Sequence, residues 1–194
     1  MNYSFKKEGK FNYVEIGEGR PIIILHGLMG GLSNFSGVTK FFNQNGYMVV
    51  LPELPLYSMP LLNTNVKSFA VYLKEFIDLR GYNDVILLGN SLGGHIGLLY
   101  TKLYPSKVKA LIITGSSGLY ESAMGSGYTK RSDYEVMKAK VQEVFYDPEV
   151  ASKEMVDEVF ATVNDRSKLI KTLAIAKSAI RHNMAKDLPN ITTP

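Results

Sequence analysis

The stretch Val85-Ile86-Leu87-Leu88-Gly89-Asn90-Ser91-Leu92-Gly93-Gly94 constrains this chain more than any other. An apolar run rich in strand formers leads straight into Gly-x-Ser-x-Gly, and Leu92, Ile96, Leu99 and Leu103 then recur at helical spacing until Pro105 ends the pattern. Strand, glycine-flanked serine and helix in that order describe a tight strand-to-helix bend. At such a bend the serine adopts strained backbone dihedrals, and a side chain two residues before or after it would collide with the neighbouring chain, so glycine is required at 89 and 93. The bend lifts the Ser91 hydroxyl above the sheet, which makes it the candidate nucleophile. The start of the helix adds N–H groups and the positive end of the helix dipole, both favourable to the negative charge that develops in acyl transfer; Leu92 would supply one such N–H. Three fixed residues are a weak motif alone, and a plain glycine-rich turn is the alternative. The strand before them and the helix after them supply the weight.

With 194 residues, 45% of them hydrophobic, the chain is long enough for one well-buried domain with room for a small appendage. The net charge of +4 is mild and the 22 basic residues are scattered, with only short pairs such as Lys6-Lys7 and Lys130-Arg131, which argues against a nucleic-acid partner. Cysteine is absent, so disulfides and thiolate metal sites are excluded, and three histidines in separate contexts do not compose a zinc site. Neither metal nor cofactor is expected. Met1 to Lys7 lacks the apolar core of a secretory signal and no run approaches the length of a membrane span, so a cytoplasmic location and a small-molecule partner are the expectation. Oligomeric state leaves no mark in the sequence.

Tyr3 to Lys7 and Phe11 to Ile16 alternate around Glu8-Gly9-Lys10, the pattern of a hairpin at a sheet edge. Ile22-Ile23-Ile24-Leu25 is apolar at consecutive positions, so both faces of that strand should be covered, as in a parallel sheet between helices. It runs into His26-Gly27-Leu28-Met29-Gly30-Gly31, a glycine-rich loop at the carboxyl end of a buried strand, where open α/β sheets place ligands. That loop can aim the N–H of Leu28 or Met29 at the point Leu92 faces. A helix from about Ser33 to Asn45 is closed by Gly46, Tyr47 to Leu51 reads as the next strand, and three prolines make Pro52 to Pro60 irregular. Val66, Phe69, Leu73, Phe76 and Ile77 share one helical face, and Val108 to Thr114 reads as one more buried strand. The β-α-β-α order implies a parallel sheet with right-handed crossovers and helices on both faces.

Beyond Gly115 the texture changes. Ser116 to Thr129 is rich in glycine and serine, with Tyr120, Met124 and Tyr128 interspersed, and reads as a connection. Three amphipathic helices are expected after it, lined by Met137, Val141, Val144 and Phe145, by Met155, Val156, Val159, Phe160 and Val163, and by Leu169, Ile170, Leu173 and Ile180. A helical insertion after a parallel sheet suits a lid over its carboxyl edge. The expected organisation is a core over 1–115, a helical lid over 116–186 and a lead-in to a further strand over 187–194.

Together these features resemble the α/β-hydrolase fold superfamily, in its lidded branch of serine esterases and lipase-like enzymes. The resemblance rests on the Gly17-x-Gly19-x-Pro21 lead-in, the strand ending in His26-Gly27, the elbow from Gly89 to Gly93 and the helices that follow. It implies Ser91 as catalytic nucleophile, an oxyanion hole from the backbone N–H groups of Leu28 and Leu92, and an acyl-enzyme formed on a small, largely apolar ester or related carbonyl substrate. Gly-Asn-Ser-x-Gly-Gly also suits carbon–carbon bond hydrolases of the meta-cleavage-product type, the rival enzyme, and a catalytically dead ligand-binding relative is the rival of another class. Two departures stand out. Glu53-Leu54-Pro55-Leu56-Tyr57-Ser58 lacks both glycines of the usual Asp-x-x-Gly-x-Gly-x-Ser loop, which alters one pocket wall. The family's acid and histidine follow a seventh and an eighth strand, whereas this sequence stops at Asp187 to Pro194. The 194 residues are therefore expected to be a fold truncated after its sixth strand and nearly inert alone. His95 sits one turn along the elbow helix, His26 in the oxyanion loop, and His182, with Asp165 or Asp187, is poorly placed to substitute.

Overall fold

Ile22 to Leu25, with no measurable exposure at any of the four side chains, form the middle of the sheet. The computed structural model describes residues 3–29, 31–120 and 130–194; Gly30 of the glycine-rich loop, and Met124 and Tyr128 of the 116–129 connection, lie outside the described residues. Six strands form one sheet: β1 (Phe5–Glu8), β2 (Phe11–Ile16), β3 (Arg20–Leu25), β4 (Tyr47–Pro52), β5 (Val85–Asn90) and β6 (Val108–Thr114), in the spatial order β1-β2-β4-β3-β5-β6. Pairing is antiparallel for β1 with β2 and β2 with β4, and parallel across β4, β3, β5 and β6. The hairpin at the edge turns at Gly9, whose φ of 57° lies in the left-handed region that glycine adopts freely.

Consecutive apolar residues are needed because alternate side chains serve opposite layers. Ile23, Leu25 and Val50 pack toward α2 (Val66–Leu79) and the helix of the elbow, α3 (Leu92–Leu103), while Ile22, Ile24, Val49 and Leu51 pack toward the other face, where Val38 and Phe42 of α1 (Ser36–Gln44) lie. A short 3-10 turn over Leu32–Phe35 precedes α1, so the helix itself starts later than its apolar pattern suggests. Asn65 caps α2 by accepting the Ser68 N–H at 2.9 Å.

This winding fixes where a site can form. From β3 the chain crosses to β4 on one side and then returns to β5 on the other, so the carboxyl ends of β3 and β5 diverge at the point where the strand order reverses. Open α/β sheets bind ligands at that crevice. His26-Gly27-Leu28 and Asn90-Ser91 are the two segments that leave it.

Three further helices follow β6: α4 (Tyr134–Gln142), α5 (Lys153–Asn164) and α6 (Arg166–Arg181). Asp165 alone joins α5 to α6 and caps the latter by accepting the Lys168 N–H at 2.9 Å. Their buried faces depart from the apolar pattern. Met137 and Val141 are buried in α4, but Val144 lies beyond its end and is largely exposed. In α6 the buried residues are Thr172, Ile175, Ala176, Ser178 and Ala179, whereas Ile170 and Ile180 face outward. The face is built of small residues because α6 lies close against neighbouring chain, and its buried hydroxyls have partners: Ser178 Oγ accepts the Val66 N–H at 3.0 Å, and Thr172 Oγ1 lies 3.4 Å from the Tyr57 hydroxyl. β6 is an apolar strand at an open sheet edge, so it is covered only in part. It is the edge of the described sheet, and Ile112 and Ile113 are 39% and 38% exposed. The carbonyl of Pro194 accepts the Leu111 N–H at 2.8 Å along that edge.

The approach of α3 to the sheet can be tested with two glycines of opposite sign. A Cβ on Gly93 would fall 2.0 Å from the Leu25 carbonyl oxygen, whereas a Cβ on Gly37 in α1 would meet nothing within 4 Å. Gly93→Ala is expected to cost about 3 kcal/mol or more and Gly37→Ala to stabilise by about 0.5 kcal/mol, read from urea midpoints.

Candidate active site

Ser91 sits at φ 53° and ψ −118°, between the end of β5 and the first residue of α3. A non-glycine residue in that region carries strain of about 1–3 kcal/mol and persists only where its surroundings hold it. Both flanking glycines are sterically required: a Cβ on Gly89 would stand 2.4 Å from the Gly93 carbonyl oxygen, and one on Gly93 would enter the backbone of Leu25 and His26. Backbone bonds complete the restraint. The Ser91 N–H donates to Thr114 O at 3.1 Å, and the Ser91 carbonyl accepts both the His95 and the Ser117 N–H at 3.2 Å. Asn90 Nδ2 donates to the carbonyl and hydroxyl oxygens of Thr114, each at 3.1 Å, so this side chain fastens the bend to β6.

The loop after β3 lies alongside. A Cβ on Gly27 would come within 3.4 Å of Ser91 Cβ, which measures how closely the two segments meet. Leu28, Ser91 and Leu92 line one cavity of about 220 Å³, closed by Tyr120 from the loop after β6 and by Ala176 and Ala179 of α6. Leu28 also borders a second, larger cleft of about 690 Å³ between the loop after β3, the loop after β4, α5 and the start of α6. His26, Tyr57, Glu53, Glu158 and Lys168 are among the residues that line it.

His26 holds the two loops together. Its Nε2 accepts the Leu54 N–H at 3.0 Å, so Nδ1 carries the proton and donates to the Gly27 carbonyl at 2.9 Å. Burial pushes this imidazole below its ordinary value near 6.5, and the Gly27 bond and the carboxylates of Glu53 and Glu158 offset that only in part. The glycine-poor loop at 53–58 is thereby docked, with Leu54 and Leu56 buried. The other imidazoles are also engaged with backbone. His95 Nε2 donates to the His182 carbonyl at 2.9 Å, and His182 Nδ1 donates to the Ser178 carbonyl at 3.0 Å. Neither acid weighed as a partner for His182 meets it: Asp165 is at the far end of α6, about 24 Å away along sixteen residues, and Asp187 pairs with Lys102 at 2.7 Å.

A family model described as the alpha/beta hydrolase fold matches residues 20–162, which include the bend, the loop after β3, α4 and most of α5. The chain belongs to the alpha/beta hydrolase fold family. The solved structure of MGS-MChE2, an alpha/beta hydrolase enzyme from the metagenome of sediments of the Mar Chica lagoon in Morocco, is 59% identical, covers 98% of this chain and 72% of its own, and superposes with a TM-score of 0.78. Lipase 1 of Psychrobacter immobilis is 29% identical over 59% of this hydrolase-fold chain and 38% of its own. The 2-hydroxy-6-oxo-6-phenylhexa-2,4-dienoate hydrolase of Comamonas testosteroni is 26% identical over 85% of this chain and 64% of its own. The matches thus span less than two thirds of these two curated relatives. Among the described residues, no helix of this hydrolase-fold chain is long and apolar enough to cross a membrane.

The contact of Ser117 with the Ser91 carbonyl and the cleft wall made by Tyr57 and Lys168 are not signalled by any local motif. Both depend on pairings between residues far apart in the chain.

The neutral state of His26 has a pH signature. A folded value below the unfolded one means that its contribution to stability is complete above the unfolded value and is lost as pH falls toward and through the folded one. The urea midpoint is expected to fall between pH 7.5 and 5.5, and His26→Gln to flatten that fall relative to the parent.

Proposed function

We propose that this chain carries the nucleophile and oxyanion site of a serine hydrolase that acts on a small, largely apolar ester or related carbonyl compound through an acyl-enzyme at Ser91. The strained serine at the sheet's switch point, facing a cavity it shares with Leu28 and Leu92, carries the reading. In this mechanism Ser91 Oγ attacks the substrate carbonyl, and the N–H groups of Leu28 and Leu92 receive the charge that moves onto its oxygen. Those donors are fixed before the reaction by the α3 terminus and the His26-pinned loop, so little reorganisation is required at the moment of charge transfer. Water then cleaves the acyl-enzyme. Helices α4 to α6, within the 116–186 segment, act as the lid, and the larger cleft that begins at Leu28 takes the apolar part of the substrate.

The group that activates Ser91 is not His26, whose accepting nitrogen is taken by the Leu54 N–H, nor His182, which does not line the cavity at Ser91. His95, one turn along α3, turns its accepting nitrogen to the Ser117 hydroxyl and does not line that cavity. In the family's order the base follows an eighth strand, after an acid that follows the seventh. A chain without them retains oxyanion stabilisation and binding but loses most of its rate, as removal of one triad member does elsewhere.

Carbon–carbon bond hydrolysis is the second reading, favoured by Gly-Asn-Ser-x-Gly-Gly and by the dienoate hydrolase relative. Charge favours the ester. The larger cleft presents the carboxylates of Glu53 and Glu158 against the single ammonium of Lys168, a poor setting for a carboxylate-bearing dienoate.

A fluorophosphonate probe tests the reading. In a full-length protein that carries the acid and the base, labelling is expected on Ser91 alone, located by peptide mass, and to fall at least about 100-fold in Ser91→Ala, a conservative bound given the cost of losing a catalytic serine. Turnover of a vinylogous 1,5-diketone without turnover of aryl esters would instead favour carbon–carbon cleavage.

A further inference from the structure

We propose that His95 is a positioning residue for Ser91: it ties the strained bend to the carboxyl end of α6, so that the nucleophile's geometry depends on where that helix ends. The proposal rests on the acyl-transfer reading of Ser91, but the tie itself stands on contacts that can be measured without any turnover.

Two hydrogen bonds reach the strained residue from outside α3: its own N–H donates to Thr114 O, and its carbonyl accepts the Ser117 N–H. Thr114 belongs to β6 and is fixed by the sheet. Ser117 belongs to a loop, and its position must be set by something else. The fully buried His95 ring supplies it. Since the His182 carbonyl can only accept, Nε2 bears the ring proton, which leaves Nδ1 to face the Ser117 hydroxyl at 3.4 Å. Gly118 lies directly over the same ring: at its φ of 99°, a Cβ would stand 2.7 Å from the imidazole Cδ2.

The end of α6 closes the arrangement from the other side. Met184 N–H donates to the Gly118 carbonyl at 2.6 Å, and Asn183 Nδ2 donates to the Leu119 carbonyl at 2.6 Å. The loop over 117–119 is therefore held on one side by the His95 ring and on the other by the residues that leave α6. The same helix contributes Ile175, Ala176 and Ala179 to the cavity at Ser91. One imidazole thus registers three things against each other: the bend, the loop that bonds its carbonyl, and the helix that roofs it. A histidine present only to fill the core would need none of these directional bonds, and its loss would lower stability while leaving the geometry of the surviving folded molecules unchanged.

The test compares His95→Ala, His95→Gln and Asn183→Asp in a full-length protein that also carries the acid and base of the family's later strands. Hydrogen exchange followed by mass spectrometry reads residues 88–96 and 114–119, and aryl-ester turnover is normalised to Ser91 titrated by fluorophosphonate. In His95→Ala, exchange in both segments is expected to accelerate about 10-fold or more, and kcat per titrated serine to fall about 10-fold or more with KM within about 2-fold, since a displaced nucleophile loses rate rather than binding. His95→Gln, whose amide can still donate to the His182 carbonyl, is expected to restore most of both. Asn183→Asp, which leaves His95 intact but removes the donor to Leu119, is expected to accelerate exchange at 114–119 to a smaller degree. Unchanged exchange at 88–96 in His95→Ala, or unchanged kcat per titrated serine, overturns the proposal. If His95→Ala does not fold, a Gln variant with none of the restored behaviour overturns it equally. Accelerated exchange in a chain whose parent neither labels nor turns over esters overturns the acyl-transfer reading and supports the tie.

Discussion

The approach of α3 to the carboxyl end of β3 governs the rest of the molecule's active face. Gly93 brings the helix so near the sheet that an added Cβ would stand 2.0 Å from the Leu25 carbonyl oxygen. At that distance the first turn of α3 cannot slide or tilt, and the residue before it has to accommodate the change of direction from β5. Ser91 accommodates it at φ 53°, a conformation that a free chain would abandon. The strain is local, but what sustains it is spread over β3, β6 and the loop after β6. The sheet order makes this possible, because β3 and β5 are neighbours whose connections leave in opposite directions, opening a crevice above a rigid floor.

Polar groups beside that crevice are each given one task. Buried imidazoles are costly unless both nitrogens have partners, and in His26 the partners are an amide N–H and a carbonyl from two different loops. The same ring therefore satisfies its own hydrogen bonding and sets the spacing between the loop after β3 and the loop after β4. Asn90 does comparable work toward β6 with its amide. Side chains that look like reactive groups in a linear sequence act here as braces for backbone, and the backbone they hold is that around Ser91, the proposed nucleophile.

How much of this was legible beforehand follows from the range of the interactions. Ile22 to Leu25 announce a doubly covered strand because burial on both faces leaves an unbroken apolar run, and Gly89 and Gly93 announce the bend because the steric requirement lies within five residues. The helices after β6 were legible as helices but not in their orientation. The α6 pattern pointed to Ile170 and Ile180, yet the buried face is Thr172, Ile175, Ala176, Ser178 and Ala179, since close packing rewards small residues there and distant partners, Tyr57 and Val66, satisfy the hydroxyls. β6 was legible as an apolar strand left at an open sheet edge, and its exposed residues follow from that place. Apolar content reports what a strand can be packed against, not which side of the sheet has a neighbour. His95 could be read as structural from its place on α3, while its bond to His182 joins residues 87 apart in sequence and left no local trace.

Leu28 deserves its place in the proposed mechanism for a geometric reason beyond its amide. It borders both the small cavity at Ser91 and the larger cleft, so it stands at the partition between them. A substrate lying across that partition would bring its carbonyl beside the Leu28 backbone, with one substituent in each space. The small space, about 220 Å³, limits the group it can take, whereas the larger one, about 690 Å³, can take a longer apolar substituent and carries its charges on the exposed Glu53, Glu158 and Lys168. Selection in the proposed reaction would then come from shape at the serine and from apolar burial beyond Leu28. His26 anchors the loop that carries Leu28 to the loop after β4, so in the proposed mechanism the spacing of the two chambers and the place of that amide both depend on one neutral ring.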